Sequence, residues 1–348
     1  MKDFPIGKKL LNKNSPALII AEVGLSHDGS LGSAHAFIDA ISKTGVDAVK
    51  FQTHIASAES SAAESFRVNV FPQDKSRYDY WERTAFSLDQ WAGLKRHADD
   101  KGILFLSTPF SLEAINLLNK IGIEAWKIGS GEFFSNDMID KIIKTKKPII
   151  ISTGLSKLDE IGIMTAKLKK NKSKFVLMQC TSQYPLKLKE VGINILDTYK
   201  KKYKCLFGLS DHTGSIYPSI YAMCKGASIV EVHVGDKNED KNPDSSSSIS
   251  FEELKQLCKA RNEIHTMKSS NVNKKILPKK LVKIKSIFTK SCTVKNFMRK
   301  GQIIKKSDII FKKPGTGIPE KKINQIIGKK LIKDVFSHNL LKLTDLEK

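Results

Sequence analysis

The 348-residue chain has no apolar run that approaches the roughly 20 residues needed by a membrane-spanning helix. It also lacks the long apolar stretch and small-residue cleavage site of a secretory leader. Its five cysteines are well separated and never form a CxxC pair, which excludes an evident disulfide framework or zinc knuckle. These absences predict a protein that stays in the reducing cytoplasm and does not enter a membrane.

Acidic residues are much less frequent in this chain than basic residues. The chain has 36 Asp and Glu against 59 Lys and Arg, a formal net charge of +23. Residues 271–348 hold 21 basic and 5 acidic residues, or +16, which leaves +7 for the first 270. The lysines of this tail occur in scattered pairs without aromatic interleaving or a nucleic-acid motif. We therefore interpret them as a solvated surface and not as a nucleic-acid site.

Eight short apolar runs, each followed by a helix-like amphipathic stretch, fill the first 235 residues. The runs are ALIIAEVG, DAVKFQTH, ILFLSTPF, AWKIGSGE, PIIISTG, FVLMQCTSQYP, CLFGLSDH and SIVEVHV. Eight consecutive βα units predict a parallel (β/α)8 TIM barrel. The alternative is an open doubly wound sheet, which commonly has a glycine-rich phosphate turn after its first strand. The segment EVGLSHDGS does not fit that GxGxxG pattern.

The composition changes after the eighth βα unit. We place a barrel domain at residues 1–267, a polar basic linker at 268–283, and a small β-rich domain at 284–348, where short strands and tight turns begin. One connection inside the barrel is also unusual, since 34 residues, 55–88, separate the second strand from the next helical stretch. Connections of this length are commonly functional, so we predict a lid or a wall on the substrate side.

Polar residues gather at the carboxyl ends of the predicted strands, where barrels of this class build their active sites. Alternation along VEVHV points Glu231 and His233 into the barrel, and alternation along AVKFQ does the same for Lys50 and Gln52. Thr153 is the polar residue that ends the fifth strand. Lysines and carboxylates at a closed barrel mouth are costly without charged partners, so the pattern predicts a bound anion and a metal.

Two histidines end neighbouring strands. His212 closes the seventh strand in GLSDHTGS, and His233 closes the eighth in VEVHVGD. Adjacent parallel strands lie about 4.8 Å apart, so both imidazoles can reach one divalent cation. The alternative is a pair of strand-end histidines that hydrogen-bond to loops. The other histidines, among them His27 and His54, lack this setting and are expected to be structural or solvent-facing.

A second group of residues suits a small anionic substrate. Lys50 and Lys127 lie on the second and fourth predicted strands. Hydroxyl groups stand at nearby strand ends, in Thr108, Ser130, Ser182 and Ser210. Ammonium and hydroxyl donors together suit a molecule that carries both phosphate and carboxylate. With the histidine pair, they predict a barrel that combines a metal with a phosphorylated acid.

Motifs along the whole chain resemble those of the sialic acid synthase family. They are IIAEVGLSHDGSL, GVDAVKFQTH, STPF, WKIGSGE, IISTGLS, QCTSQYP, GLSDHTGS, VEVHV and NPD. The tail TVKNFMRKGQIIKKSDIIFKKPGTGI is similar to that family's C-terminal antifreeze-like SAF domain. The resemblance implies a metal-dependent transferase that condenses phosphoenolpyruvate with an N-acyl hexosamine, N-acetylmannosamine or a related diacetamido sugar. The products would be a nine-carbon 2-keto sugar acid and phosphate, made by a homodimer with exchanged tails.

The same resemblance implies roles for single residues. His212 and His233 would hold Mn²⁺ or Mg²⁺. Phosphoenolpyruvate would lie among Lys50, Thr108, Lys127, Ser130, Ser182 and Ser210. The sugar would contact Glu22, Gln52, Tyr184 and Asp244, with Glu132 near the reacting centre. Within this site we take four residues as catalytic, namely Glu22, Lys50, Lys127 and Glu132. In the family, the metal polarises the open-chain aldehyde, the enol carbon attacks it, and water adds before phosphate leaves by C–O cleavage.

Three departures from the family pattern bear on the identity of the sugar. The eighth strand has EVHV where EKHF is common. Lys313 occupies the place of an arginine that reaches the sugar's N-acyl group across the dimer, and lysine lacks arginine's planar fork. The loop GDKNEDKNPDSSSSIS is also more acidic and richer in serine than the family pattern.

Two other functions remain open at this point. One is a different barrel aldolase, which joins phosphoenolpyruvate to a sugar phosphate. It would need basic residues for a second phosphate, and the long connection offers Arg67, Lys75, Arg77 and Arg83. The other is a basic, non-catalytic protein that binds polyanions, whose binding would weaken steeply with salt.

Overall fold

The computed structural model describes residues 3–68, 71–235 and 243–347. Residues 236–242, which include most of the acidic part of the loop GDKNEDKNPDSSSSIS and the asparagine of NPD, lie outside the described residues. The chain divides into two compact units, Met1–Ser270 and Asn271–Lys348. Within the described segments, no helix is both long enough and apolar enough to cross a membrane.

An N-terminal hairpin, β1 (Phe4–Ile6) and β2 (Lys9–Leu11), precedes a nearly closed barrel of eight parallel strands. The barrel strands are β3 (Leu18–Gly24), β4 (Ala48–Thr53), β5 (Leu104–Pro109), β6 (Trp126–Ile128), β7 (Ile149–Ser152), β8 (Phe175–Gln179), β9 (Leu206–Asp211) and β10 (Ile229–Val234). They pair in the order β5-β4-β3-β10-β9-β8-β7-β6, and a short strand, β11 (Ser248–Ile249), adds to β10. The predicted (β/α)8 barrel is confirmed.

Helices connect the strands and cover the outside of the barrel. They are α1 (Leu31–Ser42), α2 (Ala56–Glu59), α3 (Arg77–Thr84), α4 (Leu88–Asp100), α5 (Leu112–Lys120), α6 (Asn136–Lys144), α7 (Leu158–Lys170), α8 (Ile195–Thr198), α9 (Tyr217–Lys225) and α10 (Phe251–Ser269). At the N-termini of several helices, a serine side chain accepts a hydrogen bond from a backbone amide of the first turn. Ser87 does so at α4 and Ser111 at α5. Such caps fix where a helix begins.

Alternation divides the strand residues between two faces, as the sequence predicts. Val49 and Phe51 belong to the large core between strands and helices, whereas Ile20 belongs to a smaller core inside the barrel. The hairpin contributes Phe4 and Ile6 to that inner core. The hairpin therefore closes the end at which the strands begin and leaves the opposite end open.

A buried ion pair joins the last barrel helix to the strands. The Asp47 carboxylate pairs with the Arg261 guanidinium and accepts a 2.8 Å hydrogen bond from the backbone amide of Ile19. Asp47 has a second partner, since Lys9 Nζ lies 2.5 Å from its Oδ1, but the Lys9 side chain is half-exposed. Loss of the Arg261 guanidinium therefore leaves the buried carboxylate only partly compensated, at a cost near the lower end for buried pairs, about 3 kcal/mol. We expect Arg261→Met to lower the free energy of unfolding by about this amount in a urea titration.

A lysine on the exposed face of the same helix provides the control. Lys259 is 78% exposed. Lys259→Met should change the free energy of unfolding by less than about 0.5 kcal/mol, as expected for a surface site. Equal effects of the two substitutions would show that Arg261 does not carry a buried interaction.

The second unit contains α11 (Lys279–Phe288) and an antiparallel pair, β12 (Ser291–Val294) and β13 (Ile309–Lys312). Isolated bridges such as Met298 to Val335 connect its other segments. Its own core includes Cys292, Val294, Ile304, Ile326 and Leu331. The segment 268–283, predicted as a linker, is partly helical, because α10 continues to Ser269 and α11 begins at Lys279.

Candidate active site

A cavity of about 360 Å³ opens at the carboxyl ends of the barrel strands. All the site residues predicted in the barrel line it, namely Glu22, Lys50, Gln52, Thr108, Lys127, Ser130, Glu132, Ser182, Tyr184, Ser210, His212, His233 and Asp244. The structure therefore brings this predicted set together. Lys313 belongs to the second unit, where its ammonium lies 5.3 Å from the ring centroid of Phe288, and its role stays a prediction.

Two lysines and two carboxylates form a buried network at the floor of this cavity. Lys50 Nζ lies 2.6 Å from Glu22 Oε2 and 3.8 Å from Glu231 Oε1. Lys127 Nζ lies 3.4 Å from the same oxygen of Glu231. None of these side chains is more than 7% exposed. Burial removes the water that would solvate the charges, so each charge depends on its partners.

The two carboxylates of the network differ in how easily they ionise. Burial raises the pKa of Glu22 above its ordinary value, against the opposing effect of Lys50. Burial also acts against ionisation of Glu231, but the ammonium groups of Lys127 and Lys50 outweigh it and lower its pKa to about 2. Glu231 therefore stays ionised between the lysines. Glu22 is the carboxylate of the pair that takes up a proton more readily, and its charge is the one that an arriving anion could most easily replace.

Hydroxyl groups hold the members of this network in place. Lys50 donates to Thr108 Oγ1 at 3.1 Å, and Ser210 donates to Glu231 Oε1 at 3.1 Å. After the ends of β6 and β8, the Ser182 hydroxyl donates to Ser130 Oγ at 3.1 Å. These hydroxyls are thus fixed donors and acceptors around the lysines.

The prediction that Thr153 supplies the polar group at the carboxyl end of β7 is wrong. The hydroxyl of Thr153 hydrogen-bonds to the carbonyl oxygen of Met178 and to Tyr199, not to the cavity. The residue before it, Ser152, lines the cavity and accepts a 2.9 Å hydrogen bond from Lys127. Strict alternation along the strand places Ser152 on the inner face and Thr153 on the outer face.

Glycine is required where the hydroxyls of Ser130 and Ser182 converge. A Cβ on Gly154 would lie 2.4 Å from Cys180 Sγ, 2.4 Å from Ser182 Oγ and 3.1 Å from Ser130 Oγ. No real side chain tolerates such contacts. The absence of a side chain at Gly154 therefore gives the two serine hydroxyls room to approach the same small group.

The two strand-end histidines face each other across the cavity, with ring centroids 5.6 Å apart. His212 Nδ1 donates to the carbonyl oxygen of Thr181 at 2.9 Å, which leaves Nε2 with its lone pair. Burial and the nearby His233 lower the pKa of His212 to about 4, so its ring is neutral at pH 7. His233 Nδ1 is buried and has no hydrogen-bond partner in the described part of the chain.

These properties fit a divalent cation. Neutral imidazole nitrogens are good ligands for Mn²⁺ and related ions, and Asp244 Oδ2 lies 3.8 Å from His233 Nδ1. Within residues 3–68, 71–235 and 243–347, no three His, Cys, Asp or Glu side chains form a complete metal cluster. The two histidines would therefore leave the remaining coordination positions to water and substrate.

A chain of hydrogen bonds runs from the carboxyl end of β4 to the long segment 55–88 that follows it. Gln52 Nε2 donates to Glu22 Oε1 at 3.1 Å, and Gln52 Oε1 lies 3.2 Å from His54 Nε2. His54 Nδ1 lies 2.5 Å from Glu59 Oε1, and the ring donates to the Gln52 oxygen in the tautomer that carries its proton on Nε2. Trp81 stacks on the His54 ring at a centroid distance of 3.7 Å.

The sequence predicts a structural or solvent-facing role for His54, and the structure shows a buried ring that hydrogen-bonds Gln52 and Glu59. Its side chain is 5% exposed and lines the cavity, where it fixes the orientation of the Gln52 amide. The motif KFQTH is the sequence signal for this position of His54, because His54 follows the inward-pointing strand residue Gln52 by two positions. The partner Glu59, on α2, could not be recognised from spacing alone.

The long connection, residues 55–88, forms one wall of the cavity, as the sequence predicts. It contains α2 and α3 and supplies Phe66, Arg67, Val68, Arg77, Tyr80 and Trp81 to the lining. Arg67 lies 2.6 Å from Asp244 Oδ1, and its guanidinium lies 4.3 Å from the ring centroid of Tyr184. These contacts of Arg67 were not predicted, because the segment has no periodicity from which a direction could be read.

Glu132 stands apart from the lysine network. Its Oε2 is buried without a hydrogen-bond partner in the described residues, and burial raises its pKa from 4.5 to about 7. The folded protein therefore keeps a proton that the unfolded chain releases near pH 4.5, so stability falls as the pH rises from 4.5 to 7. Glu132→Gln removes this ionisation. Relative to its effect at pH 4, the substitution should raise the free energy of unfolding at pH 8 by about 3 kcal/mol, because the pKa of Glu132 lies at about 7 instead of its ordinary 4.5.

The measurement is a pair of urea titrations, at pH 4 and pH 8. Glu263→Gln serves as the control, because Glu263 is 64% exposed on α10. The control should show no such dependence on pH. The same stability difference at both pH values for Glu132→Gln would mean that the Glu132 carboxyl ionises normally.

Comparisons with known proteins agree with this arrangement. The sequence profile of the NeuB family matches residues 37–273, and that of the SAF domain matches residues 292–347. The N,N'-diacetyllegionaminic acid synthase of Campylobacter jejuni is 32% identical over 331 residues, which cover 93% of this chain and 98% of that protein. The uncharacterized protein MJ1065 of Methanocaldococcus jannaschii is 30% identical over 349 residues, or 99% of each chain.

A crystal structure is also similar. The N-acetylneuraminic acid synthetase of Leptospira borgpetersenii, solved in complex with citrate, superimposes with a TM-score of 0.71 at 27% sequence identity. The superposition covers 81% of this chain and 95% of that one.

Proposed function

The chain belongs to the NeuB family and is an enzyme, and on this premise we propose that it condenses phosphoenolpyruvate with an N-acyl hexosamine. The products would be a nine-carbon 2-keto sugar acid and inorganic phosphate. The observation that carries the proposal is the single cavity in which two buried lysines and two facing histidines meet. The non-catalytic interpretation is not retained. The homodimer with exchanged tails and the contact of Lys313 with the N-acyl group stay predictions.

Phosphoenolpyruvate would bind at the buried network. Lys50 and Lys127 would face its phosphate and carboxylate, and hydroxyl donors would come from Thr108, Ser130, Ser182 and Ser210. Fixed ammonium groups in a water-poor cavity are strong ligands for a small anion, because they need not reorganise when it arrives. Glu231 supports this binding indirectly, since its carboxylate holds both ammonium groups within 3.8 Å of one oxygen.

The sugar would bind beside phosphoenolpyruvate, at Gln52, Tyr184 and Asp244 and at Glu22, which borders the lysine network. A new bond forms between the third carbon of phosphoenolpyruvate and the aldehyde carbon of the open-chain sugar. The aldehyde oxygen takes a proton, water adds to the second carbon of phosphoenolpyruvate, and phosphate leaves with the electrons of the C–O bond. Glu132, with a pKa of about 7, is suited to give a proton to the sugar oxygen or to accept one from water.

His212 and His233 are the residues that would hold a divalent cation, Mn²⁺ or Mg²⁺. When bound, such a cation supplies Lewis-acid polarisation of the sugar carbonyl. The neutral state of His212 and the unpartnered nitrogen of His233 support this assignment.

Charge pairing in the wall supports an acceptor sugar without phosphate. A second phosphate would need basic groups from the long connection. Its arginines are each paired within 3.1 Å, Arg67 with Asp244, Arg77 with Glu64, and Arg83 with Asp28 and Asp74. Lys75 is not part of the cavity lining in the described residues. We therefore favour a neutral amino sugar over the sugar phosphate of the rival aldolase.

The test is a panel of acceptors incubated with purified protein, phosphoenolpyruvate and Mn²⁺. The panel contains N-acetylmannosamine, a 6-deoxy diacetamido hexose, N-acetylmannosamine 6-phosphate and arabinose 5-phosphate. Phosphate release and product mass are followed together. We expect turnover with a neutral amino sugar and a kcat/KM at least about tenfold lower with either sugar phosphate. Preference for a sugar phosphate would support the rival aldolase instead.

The chain of hydrogen bonds through His54 predicts that a substitution there changes the KM for the sugar alone. His54→Phe combined with Glu59→Gln keeps an aromatic ring against Trp81 and avoids a buried unpaired carboxylate, but it releases the Gln52 amide. We expect the KM for the sugar to rise about tenfold, the equivalent of one good hydrogen bond, and the KM for phosphoenolpyruvate to stay within about twofold.

Steady-state kinetics with each substrate varied in turn provides this measurement. Glu59→Gln alone is the matched control and should change the KM for the sugar by less than about threefold. Equal increases in both KM values would assign His54 to the general structure of the wall and not to the sugar side.

A further inference from the structure

A second cavity, of about 250 Å³, lies at the opposite end of the barrel, where the strands begin. Its walls come from the end of α7, the first residues of β8 and β9, and the beginning of the N-terminal hairpin. None of its lining residues belongs to the site at the carboxyl ends of the strands. The proposed reaction therefore does not use this cavity.

At this end of the barrel, three of the turns have a lysine in the left-handed backbone conformation. Each of the seven turns that lead into β4 to β10 has a residue in the left-handed conformation. Four of these are glycine, at Gly45, Gly102, Gly122 and Gly226, and three are lysine, at Lys146, Lys172 and Lys204. Residues with a side chain are disfavoured in this conformation, whereas glycine adopts it readily. The lysines are therefore not the residues that the turns themselves would favour.

Two of these lysines line the second cavity. Lys172 and Lys204 are joined there by Lys169 and Lys174. Lys169 Nζ donates to the carbonyl oxygen of Tyr203 at 2.8 Å. Lys172, Lys174 and Lys204 make no ion pair with any residue that the structure describes. The lining contains four lysines and a single acidic residue, Asp3, so the positive charge around this concave space has little compensation.

The floor of this cavity is apolar. Phe4 is 1% exposed, Leu206 is 2% exposed, and Phe175 is partly buried beside them. A concave site with an apolar floor and a few converging charged groups is typical of a small-molecule site. The lysines supply donors for an anionic group, and the partly buried Phe175 supplies a contact for a ring above the floor formed by Phe4 and Leu206.

We propose that this cavity binds a small organic phosphate that carries a planar ring, the chemistry of a nucleoside monophosphate. The ammonium groups of Lys172, Lys174 and Lys204 bind the phosphate, and Phe175 contacts the ring above the apolar floor. The proposal is independent of the reaction at the barrel mouth.

The test is a calorimetric titration of the full-length protein with adenosine monophosphate at low ionic strength. The variant Lys172→Asn/Lys204→Asn removes two charges, and asparagine tolerates the left-handed conformation, so the turns should remain folded. We expect the variant to bind adenosine monophosphate at least about tenfold more weakly than the wild type. Thermal unfolding of the variant should occur at or above the wild-type temperature.

Two controls isolate the site. Lys146→Asn/Lys187→Asn removes the same number of charges from lysines outside the cavity lining and should leave the affinity unchanged. Adenosine, which lacks the phosphate, should not bind to the wild type. The proposal is overturned if the wild type does not bind adenosine monophosphate, if both double variants bind equally well, or if adenosine binds as tightly as its phosphate.

Discussion

Replacing His233 with alanine lowers metal-dependent release of phosphate from phosphoenolpyruvate by at least about a thousandfold, while the protein stays folded. His233 lies on β10, 5.6 Å from His212 between ring centroids, and its Nδ1 has no hydrogen-bond partner among the described residues. Its removal would leave one imidazole to hold a cation, and the Lewis-acid polarisation of the sugar carbonyl that we propose would be lost. Removing Mn²⁺ from the wild type with a chelator should have the same effect.

Two further measurements separate the metal from the fold. Electron paramagnetic resonance of added Mn²⁺ should show at least about tenfold weaker binding to His233→Ala, independent of turnover. The control is His97→Ala, since His97 lies on α4 beside Asp39 and outside the cavity lining. Circular dichroism should show intact secondary structure in both variants. Wild-type turnover by His233→Ala with Mn²⁺ would rule out His233 as a metal ligand.

Replacing Lys127 with methionine should lower kcat/KM for phosphoenolpyruvate by about a thousandfold. The Lys127 side chain is 4% exposed, and its ammonium reaches both Glu231 and the Ser152 hydroxyl. Methionine fills a similar volume but offers no donor to a phosphate or carboxylate. The loss falls on the transition state, where the departing phosphate gains charge, so kcat should fall as well as kcat/KM.

Lys127→Met leaves Glu231 with one fewer partner, which can also destabilise the fold. Lys127→Met combined with Glu231→Gln removes both charges and should restore the unfolding temperature without restoring activity. Lys187→Met, at an exposed lysine in the loop after β8, is the control and should keep wild-type kinetics. Recovery of activity in the double variant would show that Lys127 acts only through the stability of the network.

The barrel and most of its mouth could be predicted because both follow from local patterns. Eight apolar runs of strand length, separated by amphipathic stretches, leave few folds other than a parallel barrel. Period-2 alternation then fixes which side chains point inward, and Lys50 and Glu231 meet inside the barrel as alternation requires. The same rule, applied strictly, would have selected Ser152 instead of Thr153.

Contacts between distant segments could not be predicted in this way. The hairpin β1 and β2 has strands of three residues, one containing proline, which are too short to show a period. Arg67 reaches Asp244 across 177 positions of sequence, and Glu59 reaches His54 through a turn whose direction no pattern gives. The helix α11 begins at Lys279, inside the segment 268–283 that the sequence predicts as a linker, and none of its residues is buried. The hairpin and the contacts of Arg67 and Glu59 depend on tertiary packing and not on local propensity.

The most direct test of the proposed reaction follows the oxygen that bridges carbon and phosphorus in phosphoenolpyruvate. The protein is incubated with Mn²⁺, a neutral N-acyl hexosamine and phosphoenolpyruvate labelled with ¹⁸O at this position, and the products are analysed by mass spectrometry. Condensation with C–O cleavage predicts inorganic phosphate that carries the label and a nine-carbon 2-keto acid that does not. Unlabelled phosphate, or no consumption of phosphoenolpyruvate with any amino sugar, would contradict it.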